Sequence, residues 1–209
     1  MPGAALNGVE APAKAAHINM MTDTIISSLP AEGLRAVMRS ILVADPTFTK
    51  HFENESQRWL QKTTPASMPT LFTSSGDSGT KGNIAINPAF EGIQKRIRAM
   101  MGCGLGFECL GLLQQIVSQA EDLNFDEESE DGEALMDVLA SVDGDIVQAV
   151  TSASKTLLVG SGKRAMSDRE TEIQEGVLKT LQDAQSKAEA KGMEFMFERG
   201  LNVVEKENF

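Results

Sequence analysis

Tyrosine is absent from this 209-residue chain, tryptophan occurs once, and aromatic residues make up only 5% of it. A core built from such a sequence takes its volume from branched aliphatics and from eleven methionines, which fill irregular gaps between helices. Two cysteines, Cys103 and Cys109, are too few for a disulfide framework and fit a reducing compartment. With only His17 and His51 besides them, structural zinc lacks its short Cys-x-x-Cys pairs, and buried free thiols are expected instead. No run approaches the roughly 18 apolar residues of a membrane span, and no basic stretch followed by an apolar core opens the chain. These absences predict a soluble intracellular protein, cytoplasmic or nuclear, with no membrane partner, metal or cofactor.

Charge is what the chain does have, and it is unevenly placed. The 30 acidic and 19 basic residues give a net charge of −11. Between Glu121 and Asp145 stand eleven Asp and Glu and no Lys or Arg; the remaining 19 acids balance the 19 bases. The basic groups Lys95-Arg96, Arg98 and Lys163-Arg164 are too small for a phosphate-tracking face, which excludes nucleic acid as the main partner. A local acidic surface selects a basic protein partner. Its candidate contact residues are Asp126, Glu127, Glu128, Glu130 and Asp131. Asp122, Asn124, Asp126 and Glu133 also match positions 1, 3, 5 and 12 of a calcium loop, but Glu127 occupies the position that needs glycine for the sharp turn, so a solvated acidic loop is the expectation.

The apolar periodicity is helical throughout and predicts an all-α protein. Residues 1–21 read as a disordered leader. Residues 22–62 read as a helical hairpin, with Leu34, Val37, Met38, Ile41 and Leu42 on one stripe and Asp45-Pro46 ending one helix and starting the next. Residues 63–86, rich in Pro, Gly, Ser and Thr, read as a flexible linker or long loop. Residues 87–209 read as a bundle of about five helices with an acidic loop at 121–145. Asn87-Pro88 opens its first helix, Asp143-Gly144-Asp145 is expected to break a later one, and Ser167-Asp168-Arg169-Glu170 is a capping box. Homo-oligomerisation through the last helix stays open.

Four further patterns bear on function. The string Gly102-Cys103-Gly104-Leu105-Gly106 lacks the spacing and preceding strand of a dinucleotide loop, and it reads as a smooth strip, continued by Cys109 and Gly111, for close helix packing. Met100, Met101, Gly102, Cys103, Gly106, Phe107 and Cys109 are therefore candidate close-packing or pocket residues. Gly160-Ser161-Gly162-Lys163-Arg164 fails the phosphate-loop pattern and reads as a connector. Ser129, among acids, and Ser167, three residues after Arg164, are candidate phosphorylation sites. The stretch ALMDVLASVDGDIVQAV, residues 134–150, resembles the second and third helices of ubiquitin-associated domains, which implies a turn at Gly144 and a ubiquitin-binding role. No catalytic set assembles in the sequence. The expected function is a non-catalytic helical adaptor or regulatory protein that binds a basic partner through its acidic surface. The alternative is a small-molecule binding protein or enzyme with a pocket near residues 100–113.

Overall fold

A computed structural model describes residues 21–64, 67–75 and 81–207. The expected leader falls almost wholly outside these. The fold is all-α, with two small two-stranded sheets beside the helices among the described residues. The chain divides into two compact units, residues 1–53 and 54–209.

In the first unit, residues 21–28 are helical (α1) and Ala31–Ala44 form α2. Pro30 precedes α2 and Glu32 sits in its first turn, where an acid opposes the helix dipole favourably. No residue of α2 is buried. Asp45 joins α2 to α3 (Phe48–Lys62), a helix that the unit boundary divides: its Oδ1 accepts from the Thr47 amide at 2.9 Å and from the Thr47 hydroxyl at 2.6 Å. Those bonds hold the Asp45 carboxyl below its ordinary pKa.

The second unit is the expected bundle: α4 (Ala89–Gly102), α5 (Gly106–Ala120), α6 (Glu130–Leu157), α7 (Asp168–Lys191) and α8 (Glu198–Lys206). The centre is α5, buried on more than one face through Phe107, Cys109, Leu110, Leu113, Ile116 and Val117. It lies between α6 and α7. α7 starts at the expected capping box and ends at Gly192, whose φ of 65° is the left-handed conformation that glycine adopts without strain.

Three expectations are corrected here. The segment 63–86 carries an antiparallel pair, β1 (Phe72–Ser74) with β2 (Ile84–Ile86). Leu71, Phe72 and Ile84 are buried, and the Gln119 side chain of α5 takes the Leu71 amide at 2.7 Å and gives to Pro69 O at 3.0 Å. Burial of three apolar residues and a side-chain clamp override a turn-rich composition. Secondly, Asp143-Gly144-Asp145 does not break the chain. α6 runs through it for 28 residues, so the two helices of a ubiquitin-associated domain are one here. The cause is tertiary, because both aspartates are engaged sideways. Asp143 accepts from Arg199 Nε at 2.7 Å and from the Gly200 amide at 2.6 Å. Asp145 accepts from Arg98 Nε and Gln94 Nε2, both at 2.9 Å. These bonds tie α8 and α4 to the middle of α6. Thirdly, the acidic loop is shorter than 121–145, since α6 begins at Glu130 with Ser129 as its cap.

The glycine string divides into separate roles. Gly104, at φ 79°, closes α4: the Leu105 amide returns to Met100 O and the Gly104 amide to Met101 O, both at 3.0 Å, a paired C-terminal closure that needs a left-handed residue. Gly106 lies against α6, where a Cβ would come within 2.2 Å of Ala153 N. Gly102 and Gly111 face open space, so the close approach belongs to Gly106 alone.

Two stability outcomes follow. Gly106→Val drives a side chain into the α6 backbone and is expected to cost at least about 1–3 kcal/mol in urea unfolding. Asp143→Ala orphans the buried Gly200 amide and is expected to cost about 1–3 kcal/mol, whereas Asp137→Ala on the exposed face of the same helix should stay within about 0.5 kcal/mol.

Candidate functional site

The eleven acids of 121–145 are sorted by the fold into two sets. Asp143 and Asp145 are 3% and 2% exposed and serve the core. Glu121 and Asp122 meet Lys187 of α7 at 3.1 and 2.7 Å, which raises the Lys187 pKa through hydrogen bonds to Asp122 and then Glu121. Lys191, one turn on, donates to Glu121 O at 2.9 Å and Leu123 O at 3.0 Å, capping the end of α5. Asp126 pairs with Lys81 at 3.4 Å, and Glu127 Oε1 accepts from the Glu194 amide at 2.8 Å. Of the expected contact residues, Asp126 and Glu127 thus have internal partners.

Glu128, Glu130, Asp131, Glu133 and Asp137 form the second set. No cation among the described residues pairs with them, and all are exposed. Glu130, Glu133 and Asp137 stand at i, i+3 and i+7, a single stripe on the side of α6 opposite buried Leu135, Leu139, Val142 and Ile146. Glu133 and Asp137 were not among the expected contacts, although their spacing from Glu130 is visible in the sequence. Three of the acids, Glu130, Asp131 and Glu133, lie in the first turn, where the helix dipole offsets part of their mutual repulsion. Asp131 also borders an open recess of about 400 Å³ lined by Thr73, Ser75, Asn83 and Ile84 of the β1–β2 hairpin.

Ser129 is locked into the start of this stripe. Its hydroxyl donates to Asp126 O at 2.7 Å and accepts from the Gly132 amide at 3.0 Å.

The pocket candidates fall into a buried and an open group. Met100, Gly106, Phe107 and Cys109 are core residues, while Met101 and Cys103 are half-buried and Gly102 is exposed. Cys109 donates its thiol to Ile97 O at 3.4 Å and is wholly buried. Burial, aided by the charges of Glu108 and Asp145, pushes that thiol up to about 12. It is a packed side chain rather than a nucleophile. The space near residues 100–113 lies elsewhere, in an open groove of about 710 Å³ between α5 and α7. Met100, Leu112 and Ile173 supply its apolar surface, Gly111 and Gly176 its depth, and Glu108, Gln114, Gln115, Arg169 and Glu172 its polar rim.

Among the described residues, no three His, Cys, Asp or Glu side chains converge in a way that could hold a metal ion. No helix there is long and apolar enough to cross a membrane. Comparison with protein-family models, curated proteins and solved structures gives no match.

The Cys109 thiol is expected to resist iodoacetamide in the native protein from pH 7 to about 9, where ordinary thiols ionise and react. Intact-mass measurement before and after denaturant reads this out; ready native labelling at Cys109 would contradict the burial.

Proposed function

We propose that this protein is a non-catalytic helical interaction module that meets a basic protein partner with Glu128, Glu130, Asp131, Glu133 and Asp137. The observation that carries the reading is the division of the acidic segment. Acids with structural work to do are paired or buried; of the five left in water, Glu130, Glu133 and Asp137 line one face of α6, and Glu128 and Asp131 stand beside its start. Unpaired like charges on one face repel each other, a cost that a basic partner relieves. The hairpin recess beside Asp131 gives such a partner a place to seat a side chain.

The test is a variant carrying Glu128→Gln, Glu130→Gln, Asp131→Asn, Glu133→Gln and Asp137→Asn, used beside the wild type as bait at low and moderate salt. Basic proteins held by the wild type should be lost from the variant and should elute from the wild type as salt rises. A thermal melt of both baits separates loss of binding from loss of fold, since first-turn acids each contribute about 0.3–1 kcal/mol to the helix. An unchanged partner set from a folded variant overturns the proposal.

A second reading, a small-molecule binding protein, is favoured by the groove between α5 and α7, whose volume and mixed lining suit a small amphiphilic ligand. Gly111→Trp starts from a position where an added Cβ meets nothing within 4 Å and builds an indole into the groove. A ligand held by the wild type in native mass spectrometry and lost from that variant would select this reading.

A further inference from the structure

Ser167 lies at the end of an exposed connector whose chemistry the acidic face does not use. β3 (Leu158–Val159) and β4 (Gly162–Lys163) form a tight hairpin around Gly160 and Ser161, and the chain then runs from Arg164 to Ser167 in neither helix nor strand. Arg164 is tied back through its amide to Leu157 O at 2.8 Å, and the Ser167 amide donates to the Glu170 side chain at 2.8 Å. Lys163, Arg164, Ala165 and Ser167 are exposed, Met166 is half-buried, and Ser167 has extended dihedrals of −75° and 161°.

We propose that Ser167 is a phosphorylation site for a serine kinase that reads basic residues upstream of its target. Such an enzyme binds its substrate as an extended strand and pairs the upstream cations with its own carboxylates. Here Lys163 and Arg164 stand four and three residues before the serine, both exposed, Lys163 at the end of β4 and Arg164 as the first residue of the connector beyond it. In the transfer, Ser167 Oγ bonds to the γ-phosphorus of a nucleoside triphosphate while the bond from that phosphorus to its bridging oxygen breaks. The nucleoside diphosphate leaves, and the hydroxyl proton passes to the kinase's base.

The contacts around Ser167 give the modification a structural consequence. The hydroxyl donates to Glu170 Oε2 at 2.9 Å, and Arg164 grips the same carboxylate through two nitrogens at 2.8 and 2.6 Å. Arg164, then burial working against it, then Ser167 set the Glu170 carboxyl, which settles at about 2. A phosphate on Oγ removes the donor and places a second anion beside Glu170. The carboxylate is then expelled and Arg164 passes to the phosphate, so that the capping box opens while charge at the start of α7 is retained. Ser129 offers the opposite case. Its oxygen is held from both sides at the α6 cap, and a phosphate there would lie among Asp126, Glu127, Glu128, Glu130 and Asp131, where Lys81 is already paired with Asp126.

The full chain, incubated with magnesium ATP and either a basic-directed or an acidic-directed serine kinase, tests this by peptide mapping. The expected result is phosphate on Ser167 from the basic-directed enzyme, absent in Ser167→Ala and severalfold slower in Arg164→Ala. Glu170→Gln separates recognition from local structure: it removes the ion pair but keeps Arg164, and should be modified at least as fast as the wild type. Absence of phosphate at Ser167, or an Arg164→Ala rate equal to that of the wild type, overturns the proposal.

Discussion

Two carboxylates sunk into the middle of α6 hold the second unit in its arrangement. Asp143 and Asp145 lie two residues apart and so point to different sides of the helix, one toward α8 and the other toward α4. Each is almost fully buried, while the arginine that meets it keeps part of its surface in water, Arg199 at 69% and Arg98 at 50%. The desolvation cost is therefore borne mainly by the acid, and additional donors offset it: the Gly200 amide for Asp143, Gln94 for Asp145. Gly200 is part of the same device, because a Cβ there would lie 3.0 Å from the Asp143 carboxylate and 2.9 Å from Ile146. Misplacing either helix would leave a buried charge uncompensated, so these contacts select one packing more than they add stability.

The helical class, the capping box at Ser167 and the central place of α5 were legible because each rests on local periodicity or local hydrogen bonding. The failures share a cause. Asp143-Gly144-Asp145 has the composition of a turn, and only Arg98 and Arg199, 45 and more residues away in the chain, turn it into helix interior. The segment 63–86 has turn composition too, and its described part is ordered by the β1–β2 pairing, by Gln119 and by a few buried apolar residues. In the glycine string the local pattern showed that something unusual happens, but it could not separate the left-handed Gly104 from the close-packed Gly106 or the open Gly111. For the candidate site the charge excess was readable and its division was not, since pairing depends on Lys81, Lys187 and Arg199 arriving from other elements.

The same long-range pairing accounts for the basic residues. Arg96 donates to Leu60 O and to the hydroxyls of Thr63 and Thr64, closing the end of α3. Lys95 pairs with Glu91 on its own helix, which lowers the Glu91 carboxyl, and Arg98 is committed to Asp145. The cationic side of α4 is thus mostly consumed within the fold. Net charge understates the polarity of the surface, because neutralisation happens inside the molecule and the surplus acids stay outside it.

Gly132 bears on how that surplus is presented. It is the third residue of α6, and the chain folds back over it so tightly that a Cβ would lie 1.9 Å from Asp126 O. The connection into the helix is wedged shut by that contact and by the Ser129 cap, rather than waving in solvent. Side chains mounted on such a support have already given up their backbone freedom when the protein folds. A ligand that docks on them meets a surface whose backbone ordering entropy is already spent, and its complex forms with a smaller entropic loss than one made on a floppy acidic tail of the same charge.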